Sequence, residues 1–197
     1  MKTVQPIRDL EQLDKCYRIA REHDAHRKKG DVSWELLLAV GFNTSLRISD
    51  IRRFRVRDLR GKDYAEIKAQ KTGKEARILI NPKARRVINR CLEGRDRDEF
   101  ILQSRQKDAY HKEKAITRQR AYQIMNEIAR KAGIRDRIGC HTLRKTFGYH
   151  YYKKTGDVVS LQRILCHSSR RETLVYIGVI QEEIDESLMN FSLTGGQ

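Results

Sequence analysis

The chain has 197 residues, enough for one ordinary domain with a sizeable core. Hydrophobic residues make up 39% and charged residues 35%, and Lys plus Arg outnumber Asp plus Glu by 42 to 26. The resulting +16 charge and pI near 9.9 favour an anionic polymer as partner, nucleic acid before anionic membrane. No apolar run approaches a membrane span and no charged-then-apolar leader opens the sequence, so neither a membrane nor a secreted setting is expected.

Most of the chain reads as helix. Between about Asp9 and Lys29, Leu10, Leu13, Tyr17 and Ala20 form a helical stripe. Ser33 is placed to cap a second helix through Trp34, Leu37 and Val40. After Asp50 the pattern shortens: Arg55-Val56-Arg57, Tyr64 to Ala69 and Ala76 to Ile80 are separated by turn-like Arg60-Gly61-Lys62 and Thr72-Gly73-Lys74, which predicts a small three-stranded antiparallel sheet. Asn81-Pro82 supplies a cap and a proline at the first helical position, and Gly94 ends that helix. Thr117 opens another, with Ala121, Ile124, Met125 and Ile128 on one face and Gly133 as its stop. Leu143, Phe147 and Tyr151 mark a further helix to Lys154, broken at Gly156-Asp157, where a short helix to Leu165 begins. The segment from Thr173 to Phe191 is helical in parts. The fold class expected is mainly α with a small antiparallel sheet, and no Ser/Gly/Pro-rich linker divides it.

Four cysteines, Cys16, Cys91, Cys140 and Cys166, stand far apart without CxxC pairs or a disulfide framework, which suits a reduced cytoplasm. Cys140-His141 and Cys166-His167 lack the usual zinc-ligand spacing, so metal is the weaker reading.

Five segments carry chemistry, each modest alone. Arg47 and Asp50, three apart after Gly41 to Leu46, share one side of a helical turn; such a spacing is most often a surface ion pair. The apolar run from Leu36 to Val40 argues for a semi-buried site instead. Lys71-Thr72-Gly73-Lys74 sits at a hairpin tip, where a solvated turn is the commoner meaning. His141-Thr142-Leu143-Arg144 puts an imidazole and a guanidinium on one helical face, able to grip one phosphate. Leu165-Cys166-His167-Ser168-Ser169 is followed by Thr173-Leu174-Val175-Tyr176, with nine positions from His167 to Tyr176; a lone tyrosine in an apolar stretch is usually a core or interface residue.

Taken together, the order Arg, Lys, His-x-x-Arg, His, Tyr resembles the catalytic domain of the tyrosine recombinases, or phage integrase family, from about residue 5 to residue 186. The resemblance implies that domain's fold over residues 1–180, with 181–197 as a C-terminal tail. It implies a site-specific DNA recombinase or integrase, acting on double-stranded DNA as a tetramer in the cytoplasm, typically of a mobile element, with no cofactor and no membrane. It further implies that Arg47 and Arg144 hold the non-bridging oxygens of the scissile phosphate, with Asp50 bracing Arg47. Lys71 would protonate the leaving 5′ oxygen, His141 handle the tyrosine proton and His167 donate to the phosphate. Tyr176 would attack, leaving a 3′-phosphotyrosine bond.

Elementary chemistry agrees with these residue types. Phosphoryl transfer builds negative charge on equatorial oxygens, which positioned guanidiniums stabilise through forked, permanently charged contacts. Tyrosine, with an ordinary pKa near 10, is ionised only to about one part in a thousand at pH 7, so a base and nearby cations help it attack. Many family members have glycine at the positions of Ser45 and Cys166. About forty residues precede the first box, as in short, catalytic-domain-only members. In the tail, Leu188, Met189 and Phe191 follow Glu182, Glu183, Asp185 and Glu186, which suits docking on a neighbouring subunit or packing on its own domain. Two alternatives are a type IB topoisomerase-like DNA-relaxing enzyme and a non-catalytic DNA-binding regulator of the same fold; the intact nucleophile argues against the second.

Overall fold

The most apolar stretch of the sequence becomes the central helix of a computed structural model that describes residues 3–28, 30–68, 70, 73, 75–107, 110, 113–189 and 191. The chain divides into two compact units, Met1–Phe147 and Gly148–Gln197.

In the first unit, α1 (Leu10–Ala25) starts at Asp9, whose carboxylate accepts from the Glu11 N–H at 2.8 Å. The central helix, α2 (Trp34–Thr44), is buried from Trp34 to Gly41, consistent with its continuous apolar run. Ser33 caps it as expected, and Asp24 of α1 accepts from the backbone N–H groups of Trp34 and Glu35 at 2.9 and 3.1 Å. That carboxylate satisfies orphan donors and faces the positive end of the helix. Glu35 is buried among these apolar side chains, and Arg90 donates to it at 2.7 Å. Thus α2 packs between α1 and α5 (Pro82–Leu92), the latter capped by Asn81 with Pro82 at its first position.

The three-strand expectation fails at its first member. Residues Arg55-Val56-Arg57 open a short helix, α4 (Val56–Leu59), which follows another short one, α3 (Ile48–Ile51). The backbone N–H of Arg55 donates to the Asp58 carboxylate at 2.7 Å, and only Val56 and Leu59 of α4 are buried. Burying two side chains three apart, with the turn capped by Asp58, is the spacing of a helical turn and not of an alternating strand. Arg55 keeps a single bridge to Phe100. Among the described residues the sheet therefore has two strands, β1 (Tyr64–Lys68) and β2 (Glu75–Leu79), paired antiparallel from Tyr64↔Leu79 to Lys68↔Glu75. A lone hairpin is marginal in water; this one leans on the core through Ala65 and the following Ile80.

Helix α6 (Arg118–Ala132) buries Ala121, Ile124, Met125, Ile128, Ala129 and Ala132, between its Thr117 cap and Gly133 in the left-handed conformation. Helix α7 (Cys140–Thr155) meets α2 where Gly41 has no side chain: a Cβ there would lie 2.8 Å from the Leu143 methyl carbons.

The second unit holds the end of α7 with α8 (Val158–Leu165), α9 (Arg170–Ile177) and α10 (Val179–Met189). Asp157 and Ser169 cap α8 and α9. Leu161, Leu165, Thr173, Ile177 and Val179 are the buried side chains of α8, α9 and α10. Gly148 admits Ile177, whose Cγ2 would stand 2.7 Å from any added Cβ. Among the described residues no helix is long and apolar enough to cross a membrane.

Candidate active site

In the first unit, Arg47, His141 and Arg144 line one cavity of about 260 Å³ with Ser49, Arg118 and Cys140. Arg47 and Arg144 lie far apart in sequence, and long-range contacts unite them. The N-terminal segment runs along α7, where Ile7 N–H donates to Thr146 Oγ1 at 2.9 Å and Thr142 Oγ1 donates to the Gln5 carbonyl at 2.9 Å. With Leu143 seated against Gly41, these bonds fix the helical turn that displays His141 and Arg144. On the opposite wall, Arg52 at the end of α3 donates to the Ile116 carbonyl just before α6, drawing the Arg47 turn towards Arg118. The Cys140 thiol donates to the Arg118 carbonyl at 3.6 Å and joins the starts of α6 and α7.

Arg144 is buried and donates to the carbonyl of Ser45. Ser45 itself has φ 57°, and Cys166 has φ 49°; they are the only non-glycine residues of the described chain at positive φ. These are the two positions at which the family resemblance leads glycine to be expected. The left-handed backbone strains an L-residue by about 1–2 kcal/mol. At Ser45 the strained turn directs a carbonyl onto a site arginine.

Arg47, Arg118 and Arg144 are permanently charged. The pKa of His141 is lowered below the ordinary histidine value, first by burial and then by the charges of Arg118, Arg144, Arg47 and Lys145. A neutral imidazole at physiological pH follows, and a neutral imidazole accepts a proton. Arg118, a strong neighbour of His141, was not singled out in the sequence. Its only local signal is its place directly after the Thr117 cap.

Among the described residues no hydrogen bond or ion pair is seen between Asp50 and Arg47, the pair for which a brace is expected. Arg47 is the N-cap of α3 with an extended backbone, ψ 148°, and makes no side-chain cap hydrogen bond there. Buried Asp50 instead accepts from the Gln70 N–H at 3.0 Å and lies 4.0 Å from Arg53. Lys71, next to Gln70, lies outside the described residues.

In the second unit the His167 and Tyr176 rings meet edge to face, 4.9 Å between centroids and 77° between planes. His167 Nδ1 is 3.2 Å from the buried Thr173 hydroxyl, which also donates to the Ser169 carbonyl. Thr173 and Tyr176 are three apart on α9, so one helical face presents both to the histidine. The left-handed Cys166 turns the chain out of α8 immediately before His167. Among the described residues no three His, Cys, Asp or Glu side chains gather where they could share a metal ion.

The sequence model of the phage integrase family matches residues 9–183. The chain is 37% identical over 182 residues to "Probable integrase/recombinase YoeC" of Bacillus subtilis strain 168, covering 92% of this chain and 93% of that protein. It is 27% identical to tyrosine recombinase XerA of Pyrococcus furiosus, covering 86% of this chain but 59% of XerA. Among solved structures it is similar to XerA recombinase, with TM-score 0.69, 16% identity and coverage of 95% of this chain and 66% of that one. It is also similar to the catalytic domain of bacteriophage HP1 integrase, with TM-score 0.58, 18% identity and coverage of 99% and 100%. These likenesses show the fold, and with the match across most of its length this chain belongs to the phage integrase family.

Proposed function

We propose that this chain is a site-specific tyrosine recombinase that cuts and rejoins double-stranded DNA through a 3′-phosphotyrosine intermediate. The observation that carries the reading is the meeting of Arg47, His141 and Arg144 on one cavity, from segments that the order of motifs alone could not unite. Two guanidiniums take the non-bridging oxygens as charge builds on them. His141, held neutral by burial and its cationic neighbours, accepts the phenolic proton of Tyr176. The phenolate oxygen bonds to phosphorus, the bond from phosphorus to the 5′ oxygen breaks, and Lys71 gives that oxygen a proton. His167 donates to the phosphate. Attack by a 5′-hydroxyl of the same or another strand reverses the step and requires no added energy source, because the phosphotyrosine bond retains that of the phosphodiester.

Several finer statements belong to this reading. Of the proteins that share the fold, XerH has been solved bound to its difH substrate and the Tn1549 transposon integrase in complex with a circular intermediate DNA, in keeping with DNA as the partner here. Residues 1–180 act as the catalytic domain, and 181–197 dock on a neighbouring subunit within a DNA-bound tetramer. The cytoplasm is the setting.

The test uses nicked suicide duplexes from DNA flanking the coding region. The wild-type chain is expected to form a covalent adduct, and Tyr176→Phe to bind the same duplex without forming one. An adduct with the phenylalanine variant would show that another residue is the nucleophile.

A further inference from the structure

We propose that the cut strand continues from the arginine cavity into a second cavity beside it, where Arg118 holds the phosphate next to the scissile one and Tyr122 lies against the attached nucleotide. This rests on the recombinase reading above and extends it to a substrate subsite.

The second cavity, of about 540 Å³, is lined by Gln119, Tyr122 and Gly139, and it shares Arg118, Cys140 and His141 with the first. The shared residues form a common wall, so a chain leaving the first cavity across His141 meets Arg118 next. Charge makes the same point. One phosphodiester carries a single negative charge, and Arg47 with Arg144 is enough to fork its two non-bridging oxygens. Arg118 brings a third permanent charge to the same wall, and a second phosphate is the chemistry that would use it. Of the charges acting on His141, that of Arg118 is the strongest.

The subsite is built on a rigid element. Arg118 is the first residue of a 15-residue helix, capped by Thr117, which accepts from the Arg120 N–H at 3.0 Å. The Cys140 thiol holds its carbonyl. The positive end of α6 adds to the guanidinium there. Tyr122 follows four residues later on the same face, about 6 Å further along the axis. Tyr122 is 42% exposed. Gly139 forms the floor: a Cβ there would lie 3.1 Å from Val4 Cγ1 and 3.6 Å from two Tyr122 ring carbons. The absence of a side chain lets the ring lie along the cavity, where aromatic faces serve sugars and bases of any sequence.

The experiment uses a nicked suicide duplex on which the wild type forms its adduct, with a neutral methylphosphonate placed in turn at each phosphate flanking the scissile one. At one flank the substitution is expected to slow wild-type adduct formation about tenfold, the scale of a charge-assisted hydrogen bond. Arg118→Gln is expected to lose about the same on the unmodified duplex, and to lose almost nothing more when that flank is neutralised. Arg118→Lys should recover part of the rate, and Tyr122→Ala should lose roughly threefold. Losses that simply multiply at both flanks would overturn the subsite and leave the recombinase reading standing. A wild-type chain that trapped no duplex would overturn both.

Discussion

The two halves of the candidate chemistry are assembled in opposite ways. The arginine cavity of the first unit gathers Arg47, Arg118, His141 and Arg144 from three helix starts, and depends on contacts that span more than a hundred residues, such as Ile7 to Thr146. The His167–Tyr176 pair of the second unit is local: one left-handed residue, one short helix and a threonine hydroxyl suffice. A gripping site made of fixed charges needs a stiff frame, because a misplaced guanidinium loses its fork geometry. A nucleophile and its neighbouring donor can be carried by a small unit with its own few buried side chains.

Several measurements would break or sharpen this contrast. The largest effect is expected from Arg144→Lys, which keeps the charge but loses both the fork and the geometry of the donation to Ser45; cleavage should fall about 10²-fold or more with a modest loss of DNA affinity. Near-equal cleavage by the variant would remove Arg144 from the phosphate. The pH profile comes next. Because burial and four cations lower the pKa of His141, it stays neutral until pH falls through that lowered value, so the acid limb of kcat/KM should lie below about 6.5. An acid limb above that value that disappears in His141→Gln would contradict the assignment of its environment. In the local half, Thr173→Val removes the hydroxyl beside His167 with little change of shape and should slow cleavage roughly tenfold while leaving DNA affinity intact. A loss of affinity equal to the loss of rate would mean that Thr173 only supports the unit. The smallest effects concern strain: Ser45→Gly and Cys166→Gly should each change stability by no more than about 1 kcal/mol, since relief of the left-handed backbone is partly offset by the greater freedom of glycine in the unfolded chain. Denaturant unfolding would read both, and strong destabilisation by Ser45→Gly would show that its side chain matters more than its backbone.

Much of the architecture was legible because it is encoded locally. Ser33, Asn81, Thr117 and Asp157 cap the helices expected from them, since a cap is a matter of one side chain and three backbone groups. Arg55-Val56-Arg57 misled because three alternating residues fit either a strand or a helical turn, and the deciding bonds, from Val56 to the Glu99 carbonyl and from Arg57 to the Arg97 carbonyl, come from another segment. The Gln70 N–H on the Asp50 carboxylate was not legible either, because it joins residues twenty apart in the chain.

By itself the sequence determined the helical pattern, the family and the order of the chemistry-bearing residues, because periodicity, caps and motif spacing are properties of neighbours along the chain. Only the tertiary structure decided that Arg118 joins the arginine cavity, that Asp50 accepts from the Gln70 N–H, and that Ser45 and Cys166 occupy strained turns. Those outcomes depend on which helix starts pack together, and close packing of distant segments leaves no periodic trace in the residues it joins.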